Sequence, residues 1–315
     1  MSATTDVGVS AQTMRSLDEY AIPGARLVSA PGDEIEVLWR RQEDRTRWCA
    51  DMIAASPALR WVHTDTAGID RLPLGELHRR DVLLSNARGV YSEPVSQWIV
   101  GAVLLAAKRF DTVIRLSDRQ EWGQPPGATD LAGKTVLLLG FGSIGAAVGR
   151  IASAVGMRVV GVVRRPRPTR GEDHADVLLA VSAGWRDLLR DASFLVVTAP
   201  LTTETAGMIG AAELALLPPG AWLINAGRGG IVDEPALCDA LDRGHLGGAV
   251  LDVFATETLP AGHPLWGRAN VVISPHTASF SPRTSTLTLQ HFCRELARYR
   301  AGRPLISQVD PIHGY

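Results

Sequence analysis

Residues 134–150 read KTVLLLGFGSIGAAVGR. Gly140, Gly142 and Gly145 stand in the spacing G-x-G-x-x-G, after an apolar run and before a stretch of helical character beginning at about Ser143. The spacing alone is a weak signal; a strand before it and a helix after it are the context that a dinucleotide-binding turn requires. The first glycine permits a tight turn, the second lets backbone approach a pyrophosphate, and the third lets helix and strand pack closely. The helix N-terminus then offers N–H groups and a positive dipole end to the phosphates. Such a turn opens an α/β fold with a parallel sheet. A Walker loop is excluded: Gly133-Lys134-Thr135 ends like one, but Ala128 stands where its leading glycine belongs.

Outward from the turn, apolar runs continue as candidate strands. Downstream these are 135–140, 158–163, 193–198, 221–225, 248–252 and 271–274. Upstream they are 26–29, 35–39, 61–64 and 82–85, with helices near 44–55 and 72–79. Strands separated by helices imply parallel pairing, because the crossover helix lets the next strand run the same way. Residues 92–110 read as one long helix, 283–301 as another, 121–133 as a Pro- and Gly-rich arm, and 1–24 as an irregular start.

Composition narrows the function classes. The chain has 315 residues, 46% hydrophobic and 21% charged, with 32 Lys and Arg against 33 Asp and Glu for a net charge of −1. That is a globular protein without the basic excess of a nucleic-acid binder. Cys49, Cys238 and Cys293 lie far apart, so neither a disulfide framework nor a zinc site is expected, and the spacing suits a reducing compartment. The start, MSATTDVGVSAQTM, has no basic run and no apolar run, and the longest apolar stretch, 98–107, is too short to span a bilayer. The expectation is a cytoplasmic enzyme with no metal, membrane or nucleic-acid partner.

Two patterns carry chemistry. The strand RVVGVV (158–163) ends in Val163 where an acidic residue would bind ribose hydroxyls, and Arg164, Arg165, Arg167 and Arg170 follow. Guanidinium groups bind a 2′-phosphate that a carboxylate would repel, so NADP(H) is expected over NAD(H). Three strands then end in polar stretches, INAGRGGIVDE (224–234), LDVFATETLP (251–260) and ISPHTAS (273–279), which supply Arg228, Glu257 and His276. Hydride transfer to a ketone needs such a set: an electrophilic clamp, and an acid whose imidazole a carboxylate orients and favours in its protonated form. Singly, each residue also fits a structural role.

With TDTAGID (64–70), NARGV (86–90), TAPLTTET (198–205), ALCDALDRGHLGGAVLDVF (236–254) and HPLW (263–266), the chain resembles the D-isomer-specific 2-hydroxyacid dehydrogenases. The spacings of 29 and 48 residues from Arg228 to Glu257 and His276 suit that family.

The resemblance implies several roles. His276 is the general acid and base, Glu257 its partner, and Arg228 the residue that binds and polarises the 2-oxo acid. Ala67, Gly68 and Ile69 hold the substrate carboxylate through backbone N–H groups, a nest that needs no charged side chain. Gly140, Gly142, Gly145, Ser143 and Ile144 meet the pyrophosphate, and Pro200, Thr205 and Ala226 line the cofactor side; Arg164 and Arg165, read above from the sequence itself, face the 2′-phosphate. Asp252 holds the nicotinamide amide. Tyr91, Trp39 and Trp266 are candidates for an aromatic wall, with Tyr91 and Trp266 taken as substrate contacts.

The resemblance also implies a Rossmann-type doubly wound cofactor domain (96–282) inserted into a smaller flavodoxin-like substrate domain (1–95 and 283–315). Hinge helices join the two, and a homodimer forms through the cofactor domain and its arm. HPLW is similar to glyoxylate/hydroxypyruvate reductase-like members, so a small 2-oxo acid is the expected substrate. Thr258, where the family often has proline, and the missing acidic residue at 163 are departures. An ending at 315 argues against the long phosphoglycerate dehydrogenases. The rival reading is a nucleotide-sensing binding protein of the corepressor type on the same fold, which turnover of a 2-oxo acid would exclude.

Overall fold

The computed structural model describes residues 4–16, 22–168 and 171–312; Arg170 of the arginine cluster lies outside them. The chain forms two compact units, one from Met1–Tyr91 and Ser281–Tyr315 and one from Ser92–Phe280. Each is built on its own all-parallel sheet.

In unit 1 the strands are β1 (Thr5–Gly8), β2 (Ala25–Val28), β3 (Val37–Arg40), β4 (Trp61–Thr64) and β5 (Leu83–Asn86), in spatial order β2-β1-β3-β4-β5. That is the flavodoxin-like order. Helices α1 (Ala11–Ser16), α2 (Thr46–Ala54) and α3 (Leu74–Arg79) accompany them.

Unit 2 begins with α4 (Ser92–Lys108) and α5 (Phe110–Asp118) and then winds around β6 (Thr135–Leu139), α6 (Ser143–Ala154), β7 (Arg158–Val163), β8 (Val177–Ala180) and β9 (Ala192–Val197). It continues through α7 (Ala211–Leu216), β10 (Trp222–Asn225), α8 (Glu234–Asp242), β11 (Gly248–Leu251) and β12 (Val271–Ile273). Its order, β12-β11-β10-β9-β6-β7-β8, is a doubly wound Rossmann sheet extended by one strand. The winding reverses between β6 and β9, which makes their carboxyl ends the place for a ligand. After unit 2, helix α9 (Thr284–Arg300) returns to unit 1.

Two readings of the sequence are corrected. The start is not irregular: β1 and α1 form there, and β1 pairs with both β2 and β3, so its TDVG is buried by its neighbours more than by its own apolarity. The long helix stops at Lys108, because Arg109 adopts φ 54° and its guanidinium binds Asp111 and the carbonyl of Pro126; α5 then starts a separate helix. Strand β8 is an addition to the strands expected from the sequence, and it completes the far edge of the unit 2 sheet.

Trp39 belongs to the unit 1 core. Its ring stacks on Phe292 of α9 at 4.1 Å between centroids, and Trp61 stacks on the same ring at 5.7 Å. Each such pair adds about 0.5–1.5 kcal/mol to the burial itself. The apolar strands of unit 2 are buried on both faces of their sheet, and Leu137, Leu195 and Leu223 lie side by side in the core cluster on one of them.

Candidate active site

The glycine turn at the carboxyl end of β6 shows a different reason for each glycine. Gly140 has φ 104°, and a Cβ there would lie 2.5 Å from the backbone nitrogen of Ala199. A Cβ on Gly145 would lie 2.6 Å from the carbonyl oxygen of Gly140, so any side chain would force α6 off the strand. A Cβ on Gly142 would meet nothing within 4 Å. The second glycine therefore leaves open space beside the exposed Ser143 and half-buried Ile144, at a helix start that no side chain caps. Open space, uncapped N–H groups and the helix dipole together suit a pyrophosphate.

Across the reversal point, the loop after β9 folds on itself. Thr205 Oγ1 donates to the carbonyl of Pro200 (2.6 Å) and accepts from the amide of Thr202 (2.8 Å). The amide of Ala226, just past β10, donates to the carbonyl of Val197 (3.1 Å), which holds the two strand ends together.

The arginines after β7 have carboxylate partners that the linear sequence hid. Arg164 makes a two-pronged contact with Glu204, Nε to Oε2 at 3.1 Å and Nη2 to Oε1 at 3.3 Å; Arg167 makes another with Asp173 at 2.7 and 2.9 Å. Arg165 is exposed. The Arg164–Glu204 pair is largely exposed, so it contributes no more than about 1 kcal/mol.

Three neighbouring strands end in the remaining polar residues. His276 lies beyond β12 with φ 55°, a left-handed backbone that costs a non-glycine residue about 1–2 kcal/mol. Asp252, 2% exposed, compensates. Its carbonyl accepts from the His276 amide (2.9 Å), and its carboxylate accepts from the amides of Thr277 (2.8 Å) and Ala278 (3.0 Å) and from the Ser274 hydroxyl (2.5 Å). The His276 imidazole is thereby carried to within 2.9 Å of Glu257, Nδ1 to Oε2. The Phe254 amide donates to the other carboxylate oxygen of Glu257 at 3.4 Å.

Arg228 is half-buried and donates from Nη1 to the carbonyl of Gly227 (2.8 Å). Asn225 braces that turn from both sides: its Oδ1 accepts from the Gly227 amide and its Nδ2 donates to the Arg228 carbonyl. Trp266 is 48% exposed, and its indole N–H donates to the carbonyl of Pro260.

Unit 1 holds the remaining candidates. After β4 the chain turns through Ala67, Gly68 and Ile69. Asn86 donates to the carbonyl of Ala67 and Thr66 Oγ1 to that of Gly68, while Ile69 is 4% exposed and anchors the turn. Among the described residues the N–H groups of these three have no acceptor. Asp65 fixes the start of the turn, accepting from the Trp39 indole N–H (2.7 Å) and Arg41 Nε (3.2 Å); burial pushes its carboxyl up to about 6. Tyr91 is 6% exposed, and its hydroxyl donates to the carbonyl of Asp65. The tyrosine thus braces the turn from inside the unit.

A family model described as D-isomer specific 2-hydroxyacid dehydrogenase, NAD binding domain, matches residues 100–278. The chain belongs to the D-isomer specific 2-hydroxyacid dehydrogenase family. Among family members, a glyoxylate reductase of Aeropyrum pernix is 33% identical, covering 91% of this chain and 86% of that protein. A glyoxylate/hydroxypyruvate reductase B of Pectobacterium carotovorum is 36% identical, with 85% and 80% covered. An NADPH-dependent glyoxylate/hydroxypyruvate reductase of Sinorhizobium meliloti, solved with NADP and sulfate, superposes with a TM-score of 0.84 at 29% identity over 99% of this chain and all of that one. Family membership makes the chain an NAD(P)-dependent oxidoreductase. Among the described residues no helix is long and apolar enough to cross a membrane.

The glycine turn gives a test of nucleotide binding. Gly142→Ala keeps the wild-type melting temperature, since its methyl enters open space at an allowed backbone angle, yet weakens nicotinamide dinucleotide binding about tenfold or more by overpacking the phosphate site. Fluorescence titration with NADPH and NADH checks this, and wild-type affinity for both would clear the turn of phosphate contact.

Proposed function

We propose that this chain reduces a small 2-oxo acid of the glyoxylate or hydroxypyruvate type to the D-2-hydroxy acid, preferring NADP(H) to NAD(H). The observation that carries the reading is the His276–Glu257 pair at 2.9 Å, on strand ends next to that of Arg228, in a sheet whose reversal point bears the glycine turn. The names of the Aeropyrum and Pectobacterium relatives support the substrate class. These relatives are named as reductases, so the corepressor-type reading is not favoured.

When bound, the reduced nicotinamide supplies the hydride to the carbonyl carbon. His276 donates a proton from Nε2 to the carbonyl oxygen as negative charge develops there. Glu257, on Nδ1, keeps the ring oriented and offsets its charge. Arg228 directs its guanidinium to the substrate's oxygens and polarises the carbonyl. The amides of Ala67, Gly68 and Ile69 take the carboxylate as a nest, and Tyr91 supports that turn without touching substrate. Trp266 is the exposed aromatic suited to contact a short side chain. The Asp252 carboxylate, with three acceptor positions used internally, keeps one for the nicotinamide amide.

NADP(H) preference is supported by Arg164 and Arg165 and by the missing acidic residue at 163; the Sinorhizobium enzyme was solved with NADP. A second copy of the chain is the proposed partner. Leu104, Phe110, Ile114 and Trp122 expose large apolar side chains along α4, α5 and the arm, and Trp122 is fully exposed. Apolar groups gathered in one stretch mark an interface better than scattered ones do.

Three outcomes are expected. Wild-type protein oxidises NADPH with glyoxylate or hydroxypyruvate, and His276→Ala cuts kcat about 10²–10⁴-fold with nucleotide affinity kept; no oxidation with any 2-oxo acid ends the enzyme reading. Arg164→Ala with Arg165→Ala weakens NADPH far more than NADH, and equal losses would show that the pair does not read the 2′-phosphate. In sedimentation experiments the wild type is a dimer and Ile114→Glu with Trp122→Glu a monomer; a monomeric wild type would refute the proposed partner.

A further inference from the structure

Glu257 reaches His276 from a loop with no regular structure, 253–258, so something must hold that loop. Two contacts do. From one side the Phe254–Ala255 peptide lies flat on Gly229: a Cβ there would sit 1.8 Å from the carbonyl carbon of Phe254 and 2.3 Å from the nitrogen of Ala255. From the other, the Ala255 amide donates to Glu234 Oε1 at 2.7 Å. Consecutive amides thus serve two carboxylates, Phe254 that of Glu257 and Ala255 that of Glu234.

Glu234 is itself fixed. It is the first residue of α8, whose N-cap Asp233 accepts from the Ala236 amide, and its side chain is only 13% exposed. Its second oxygen lies 3.3 Å from Nε2 of His263. Nδ1 of His263 accepts from the Leu265 amide at 3.4 Å, which leaves the ring proton on Nε2, directed at Glu234. The histidine of the HPLW segment therefore locks the carboxylate that locks the loop.

We infer that Glu234 and His263 are positioning residues that set where Glu257 meets His276. The inference rests on the acid–base reading of His276. Glu234 never touches substrate; its whole effect passes through the loop backbone. Loss of the Ala255 acceptor frees the loop two residues before Glu257, and a misplacement of about 1 Å at a catalytic constellation costs up to about a hundredfold in rate.

The test compares the full-length wild type with Glu234→Ala, Glu234→Gln, His263→Ala and Glu257→Gln, using glyoxylate and NADPH. Glu234→Ala is expected to lower kcat about 10- to 100-fold while leaving NADPH affinity unchanged. It is also expected to move the alkaline limb of the pH profile to lower pH, as Glu257→Gln does. Glu234→Gln keeps an acceptor for the Ala255 amide and restores most of the rate. His263→Ala gives a smaller loss of the same kind and keeps the test open if Glu234→Ala fails to fold. Wild-type kcat and pH profile in Glu234→Ala and His263→Ala would overturn the inference. Amide hydrogen exchange at residues 254–257 reads the clamp without turnover: faster exchange in Glu234→Ala supports it and unchanged exchange overturns it, even if no 2-oxo acid is reduced.

Discussion

The buried carboxylate of Asp252 is the interaction on which the candidate site depends. It sits just past β11, is almost fully shielded from water, and gathers the turn after β12 through two amides and a hydroxyl. Charge-assisted bonds of this kind are roughly twice as strong as neutral ones, and several converging on one group offset a locally unfavourable backbone. His276 is therefore held left-handed by its surroundings, and its exposed ring meets Glu257 through Nδ1.

The same logic of close approach runs through the unit 2 sheet. Where β6 and β9 part company, only a glycine fits at 140 and only a glycine lets α6 settle at 145. At 229 the residue after Arg228 must again lack a side chain, because the loop toward Glu257 rests on it. Backbone contacts therefore couple the segments that carry Arg228 and Glu257, and side-chain carboxylates complete what the glycines begin.

Much of this was legible in the sequence, because strands of an all-parallel, doubly covered sheet are continuous apolar runs and their carboxyl ends carry the polar residues. Arg228, Glu257 and His276 stand on such ends, and together with the glycine turn they form a set that none of them makes singly. Other features were not legible, for physical reasons. TDVG in β1 has a single large apolar residue and owes its burial to strands on either side. Arg109 breaks a helix with no glycine or proline to announce it. Glu204, Asp173, Glu234 and His263 look like surface charges along the chain; each acquires meaning only from a partner brought near by folding, 40 residues away for Glu204 and 29 for His263 and Glu234. Tyr91 misleads in the opposite sense: an aromatic near the nest turn suggests a pocket wall, and it is a strut.

The stacking of Phe292 on Trp39 and Trp61 bears on how the polypeptide is made. Every strand of unit 1 leaves the ribosome within the first 86 residues, but the helix that covers their indole rings is encoded after residue 283. Unit 2, complete within one unbroken stretch, has all its own elements to hand before that helix emerges. Synthesis order and assembly order thus diverge: the portion translated first is finished last. Until then two tryptophans stand uncovered in the part already made, a target for holding chaperones and for wrong partners alike.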